Sequence, residues 1–276
     1  MSDEELKNRI AAAIKEDRCF TTGRLREEFR MKPAPGVQPV KIYKSQYGSQ
    51  YGVYRIADCV PMRSKRAATE KQIEASKALT RRSRLNSKRG RCSLRAANWL
   101  DALPVFLDTE TTGLGENAEV IEIGLTDSTG NVLMDVRLKP TVPVGEEAVA
   151  VHGISIESLT DAPAWPDIAG ELQCQLTGKL VIIFNKIFDM RLLRQTAYAH
   201  GNDAAWLEQL DVKCAMYLAA EFFGATNRWG TISLATSVRE SGVEWVGKAH
   251  SATGDAATTA AVMNAIAAYS RRLLAQ

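Results

Sequence analysis

The 276-residue sequence predicts a mixed α/β sheet covered by helices, preceded by a small α+β domain. Three observations predict it. Residues 103–110, 118–127 and 132–140 read as three short strands in meander, the last two joined by the turn "STGN" at 128–131. Beyond them an apolar strand alternates with helical patterns, which brings in parallel pairing. The first 62 residues instead carry two helical segments and then a hairpin pattern.

In the N-terminal part, residues 2–16 predict a helix. Ser2 and Glu5 stand at capping-box spacing, and Leu6, Ile10 and Ile14 recur every four residues as one apolar face. Residues 21–29 predict a second helix, broken by "KPAPG" at 32–36. Residues 40–56 then read as two strands about a glycine-containing turn. Two helices followed by a hairpin resemble a winged-helix outline. Tyr43, Tyr47, Tyr51 and Tyr54 fall among basic residues here. They read first as cross-strand aromatic packing and second as a base-stacking surface.

Charge is distributed unevenly. Residues 1–62 carry a net +3; residues 63–95 hold twelve Lys or Arg against two Glu, a net +10; Asp101 adds −1; residues 103–276 carry −9. The expected organisation is a small domain at 1–62, a basic linker at 63–100, helical at first and flexible after, and a larger domain at 101–276. Cations at that density favour an arm that tracks phosphates over a plain tether. The five cysteines form no CxxC pair and are odd in number, against both a disulfide framework and a zinc site. With an acidic start "MSDEEL" and no long apolar run, the chain is expected in the cytoplasm, away from membranes.

In the larger domain a helix is expected at about 166–177, a buried strand at 179–184, a helix stopped by Gly201, and two or three further helices ending with 255–274. Asp108 and Glu110 close the first strand and point to the same face. Two close carboxylates repel, and one takes up a proton unless a cation lies between them. Oxygen ligands suit magnesium or manganese. The bland reading is a solvated strand end. Asp189 follows the buried strand. Asp255 opens the last helix, where the helix dipole alone would favour a carboxylate. His250 lies five residues before Asp255 in a polar loop, while His152 and His200 have no comparable company.

In that order the chain resembles the DnaQ-like, or DEDDh, 3′–5′ exonucleases. Their first motif, D-x-E followed by T-G-L, stands as Asp108, Glu110, Thr112, Gly113 and Leu114; their second, N-x-x-F-D, as Asn185, Phe188 and Asp189; their third, H-x4-D, as His250 and Asp255. "VHGIS" at 151–155 matches a further recurrent stretch. The resemblance covers residues 103–270. It departs at Phe184, where the family often has histidine, a residue that is not a metal ligand.

The resemblance implies a ribonuclease H-like sheet and 3′–5′ hydrolysis of phosphodiester bonds with two Mg2+ or Mn2+ ions. Asp108, Glu110 and Asp255 would hold the ion that activates water, with Asp108 bridging to a second ion near Asp189. His250 would be the general base, a task suited to imidazole at neutral pH. The backbone at Thr111 would meet the terminal sugar, and Leu114 the last base. The expected partner is nucleic acid, DNA ahead of RNA, at single-stranded or frayed ends; a protein partner through residues 1–62 stays open. The rivals are an exoribonuclease of the same family and a noncatalytic nucleic-acid-binding module.

Overall fold

A computed structural model describes residues 2–63 and 68–276. The chain forms two compact units, residues 1–73 and 74–276.

The first unit begins with α1 (Asp3–Lys15), whose N-cap Ser2 and Glu5 complete the capping box. Its buried face is Leu6 and Ala13, with Ile10 partly buried, while Ile14 is 45% exposed. The expected four-residue spacing drifts around the helix at 3.6 residues per turn, and a step of seven returns Ala13 to the face of Leu6. Then follow β1 (Cys19–Thr21), α2 (Thr22–Phe29), β2 (Met31–Pro33), β3 (Lys41–Lys44), β4 (Gln50–Arg55) and β5 (Cys59–Pro61). Antiparallel β1-β4-β3 forms one sheet and β2-β5 a second. Phe20, Leu25, Phe29, Met31 and Ile56 make the core.

Helix α3 (Glu70–Asn86) has no buried residue. Of the basic segment 63–95, residues 64–67 lie outside the described residues. The flexible second half of the expected linker is corrected: Lys88–Asp101 is a helix, α4, integral to the second unit. Ser87 caps it, accepting from the Gly90 N–H at 3.0 Å. Cys92, Ser93, Ala96, Ala97 and Leu100 form its buried face. A Cβ on Gly90 would stand 2.2 Å from the Arg84 carbonyl oxygen, so the α3–α4 corner needs glycine.

The second unit is built on β6 (Val105–Thr111), β7 (Val120–Thr126), β8 (Val132–Arg137), β9 (Leu180–Ile183) and β10 (Asp211–Cys214). Their order is β10-β9-β6-β7-β8. β6-β7 and β7-β8 are antiparallel; β6-β9 and β9-β10 are parallel. In sequence order of the five this is 5-4-1-2-3 with only the second strand reversed, the ribonuclease H-like arrangement. Side chains on β6 and β9 divide by parity. Val105, Leu107, Val181 and Ile183 pack under α6 (Trp165–Leu176) and α7 (Lys186–Ala199). Phe106 and Ile182 pack under α4, α8 (Ala215–Phe223) and α10 (Ala252–Leu274). The short helices α5 (Glu146–His152) and α9 (Leu234–Ser241) complete the unit.

Candidate active site

Strand β6 carries Asp108 and Glu110 on its even face, past the apolar run that fixes it centrally in the sheet. Asp255 comes to that face on the first turn of α10, whose cap is Ser251, accepting from the Gly254 N–H at 3.3 Å. Asp255 is thus not the N-cap residue, though it stands in the first turn, where the helix dipole favours a carboxylate. Its Oδ1 instead accepts the backbone N–H of His250 at 3.2 Å. That bond holds His250 at φ 58°, with the imidazole exposed. One atom each from Glu110, His250 and Asp255 lie within 4.8 Å of one another.

Asp189 arrives from the other layer. Helix α7 packs on the odd face, but it starts beyond the end of β9, and Asp189 in its first turn reaches round the edge of β6. Thr109, on the odd face of β6, donates to Asp189 Oδ1 at 2.9 Å. Asp108, Glu110, Asp189, His250 and Asp255 line one cleft of about 180 Å³, together with Phe184, Asn185 and Phe188.

The electrostatics of the cleft are unfavourable without a cation. Burial, then Asp189, Asp255 and Glu110 in turn, hold the Asp108 carboxyl well above its usual range. Burial and then Asp255 push Glu110 to about 8. Burial takes Asp189 to about 7 against the opposing Thr109 bond, and burial raises Asp255 against the His250 N–H. Converging oxygen donors that cannot all ionise together are a donor set made for hard divalent cations. The residues present therefore fit divalent metal.

Glu122 was not picked out by sequence reasoning. It is buried on β7 directly opposite Glu110. Its Oε2 accepts the Ala252 N–H at 2.9 Å and its Oε1 accepts Arg137 Nε at 3.1 Å. The available signal was a lone carboxylate inside an otherwise apolar run, "VIEIG". Beside it, Gly124 admits the start of α10: a Cβ there would lie 2.2 Å from the Ala252 carbonyl carbon and the Thr253 nitrogen.

A larger cavity of about 580 Å³ adjoins the cleft, sharing Thr109, Glu110 and Phe188. Thr111 and Leu114 line it, with Leu114 77% exposed. His152 lines it too and has more company than its sequence suggested. Its Nδ1 accepts the Ile154 N–H at 3.0 Å, so Nε2 donates to the Thr111 carbonyl at 3.2 Å. Burial lowers its pKa, in keeping with a neutral ring. His200 is partly buried, its Nε2 3.4 Å from the buried Glu119, and does not line the cleft.

An exonuclease family model, RNase_T, matches residues 105–263. The protein pSLT049 of Salmonella typhimurium is 55% identical over 122 residues, which are 44% of this chain and 88% of that protein. The exonuclease CP81 of Escherichia phage 186 is 39% identical over 181 residues, 63% of this chain and 93% of that one. The DNA polymerase III subunit epsilon of Escherichia coli is 38% identical over 97 residues, 31% of this chain and 40% of the subunit. Exonucleases of this type use divalent metal ions. Among the described residues no helix is long and apolar enough to cross a membrane. With its sheet order, its acidic cleft and this family match over more than half its length, the chain is a nuclease and belongs to the exonuclease family, in the DnaQ-like superfamily.

Proposed function

We propose that the chain is a 3′–5′ exonuclease that hydrolyses phosphodiester bonds from the 3′ end of DNA, at single-stranded or frayed ends, and releases nucleoside monophosphates. The observation that carries this reading is the single cleft shared by Asp108, Glu110, Asp189, His250 and Asp255. It opens beside a cavity large enough for a terminal nucleotide.

Asp108, Glu110 and Asp255 would hold one Mg2+ or Mn2+, and Asp108 with Asp189 a second. Such ions supply charge stabilisation for the attacking and leaving oxygens of an in-line displacement. The chain's own residues do the rest. His250, exposed beside Glu110 and Asp255, takes the proton of the attacking water. A new P–O bond forms as the P–O3′ bond breaks, and the shortened strand keeps its 3′ oxygen. Thr109 steadies Asp189 from the opposite face of β6. The Thr111 carbonyl, fixed by His152, and the Leu114 side chain present polar and apolar contacts to the terminal sugar and base. Contacts of that kind tolerate any sequence.

The test is degradation of 3′- and 5′-labelled oligomers of DNA and RNA, with and without Mg2+. Early release of the 3′ label as mononucleotide, on DNA faster than on RNA, is expected. Early release of the 5′ label, or faster attack on RNA, would overturn the polarity or the substrate respectively.

A further inference from the structure

The N-terminal sheet has one face the nuclease reading leaves unused. Strand alternation sends Phe20 and Tyr54 inward to the core. The outer face carries Thr21, Lys41, Tyr43, Tyr51 and Val53, paired across β1, β4 and β3. Tyr43 and Tyr51 stack at 5.8 Å between centroids and 20° between planes, and Lys41 Nζ lies 5.0 Å over the Tyr43 ring. Cross-strand packing accounts for that pair. It does not account for Tyr47, which sits in the β3–β4 turn and is 87% exposed, nor for the 45% exposure that Tyr51 keeps. Residues 40–55 hold Lys41, Lys44 and Arg55 and no carboxylate. Arg55 is engaged with Asp17 at 3.2 Å, at the end of β4 away from the turn. The open end of the hairpin is thus aromatic and cationic, with no acid in its own sequence.

We propose that the β3–β4 hairpin is a second DNA-binding surface, separate from the cleft, that holds single-stranded DNA. Tyr47 in the turn and Tyr51 on the outer face offer ring faces to bases, and Lys41, on that same face, meets a phosphate, whereas Lys44, paired with Gln50, belongs to the other face. Every base has a π-face, so such a surface holds a strand without reading it. The choice of DNA rests on the substrate proposed above; the stacking and charge do not.

The experiment uses the full chain in EDTA, where hydrolysis is not in play, and follows the anisotropy of a labelled 20-nucleotide oligothymidylate. Tyr47→Ser with Tyr51→Ser is expected to weaken binding about tenfold or more, the effect of losing one stacked base. Lys41→Gln is expected to lower the slope of log K against log salt by about 0.7, the effect of one phosphate contact. Circular dichroism checks that both proteins fold, and Mg2+-dependent cleavage of a five-nucleotide oligomer is expected to be unchanged. Unaltered affinity and salt slope in both variants would overturn the proposal in favour of a protein partner for this surface. Tighter binding of a matched oligouridylate would overturn DNA as the occupant. A wild-type chain that never cleaves DNA would sink the nuclease reading alone, because the binding comparison is made without metal.

Discussion

At the scale of single residues, the cleft joins four carboxyl groups whose proton affinity is raised by burial first and by one another second. The unfolded chain gives up those protons near pH 4. The folded chain without metal keeps them to higher pH, to about 7 at Asp189 and about 8 at Glu110. It therefore binds more protons than the unfolded chain between those limits, and linkage makes stability fall as pH rises. The stability these groups contribute is complete below about pH 4; the share of Asp189 is lost as pH rises through about 7 and that of Glu110 through about 8. Thermal denaturation in EDTA is expected to show the melting temperature declining from pH 5 to pH 8, with a shallower decline for Asp108→Asn. Mn2+ is expected to raise it more at pH 8 than at pH 5; a flat profile would contradict the electrostatics described. Asp108→Ala is expected to lower Mg2+-dependent nucleotide release at least about 10³-fold, the scale on which a cooperating catalytic set loses a member. Gel or chromatographic assay of purified variant checks it.

At the scale of elements, the site depends on where α10 begins. Gly124 and Glu122 on β7 settle that, one by lacking a side chain and the other by accepting the Ala252 N–H. Gly124→Ala puts a methyl group into helix backbone, which cannot move aside as a flexible side chain does. It is expected to cost about 1–3 kcal/mol and to displace Asp255, seen as lower denaturation midpoint and lower activity together. Glu122→Ala strands a buried N–H and the partner of Arg137, at about 1–3 kcal/mol; Glu122→Gln, which keeps an acceptor, is expected to recover most of that in urea denaturation.

The same elements show what could be read in advance. The meander was legible because β6 to β8 are bounded by turns and alternate or run apolar, and β6 ends in an acidic pair. All five acid and histidine positions could be named from motif order, and the structure brings them into one cleft. Strand β10 was not legible: four residues, "DVKC", with only Cys214 buried, give no period to detect. Helix α4 was obscured by its arginines and lysines, which face solvent. Its buried stripe is made of small residues, Cys92, Ser93, Ala96 and Ala97, whose value lies in close approach to α10, as in the Ser93 Oγ bond to the Ile266 carbonyl at 2.6 Å. Glu122 and His152 were missed because their partners come from distant segments, Ala252 and Thr111, which only the fold supplies.

At the scale of the whole molecule, an acidic catalytic unit must accept a polyanion. Residues 103–276 carry −9, and the compensating cations stand in residues 63–95. Because α4 is part of the second unit's core, deleting 63–95 would test folding rather than binding. The cleaner variant changes exposed residues of α3, Lys71, Lys77, Arg82 and Arg84, to Gln. If α3 tracks phosphates, the salt slope for single-stranded DNA falls by as much as about 2.8, at about 0.7 per contact, in fluorescence titrations at stated salt. An unchanged slope removes this helix from the binding surface.

In the function proposed, side chains from β6, α7 and α10 would together make a seat for two hard ions. Counting bound Mn2+ by the paramagnetic resonance of the free ion, with a nucleoside monophosphate present, addresses it without relying on turnover. Two ions per wild-type chain, and fewer than one in Asp108→Ala because that carboxylate would serve both, is the result expected. No bound Mn2+ in the wild type, or an unchanged count in the variant, would contradict it.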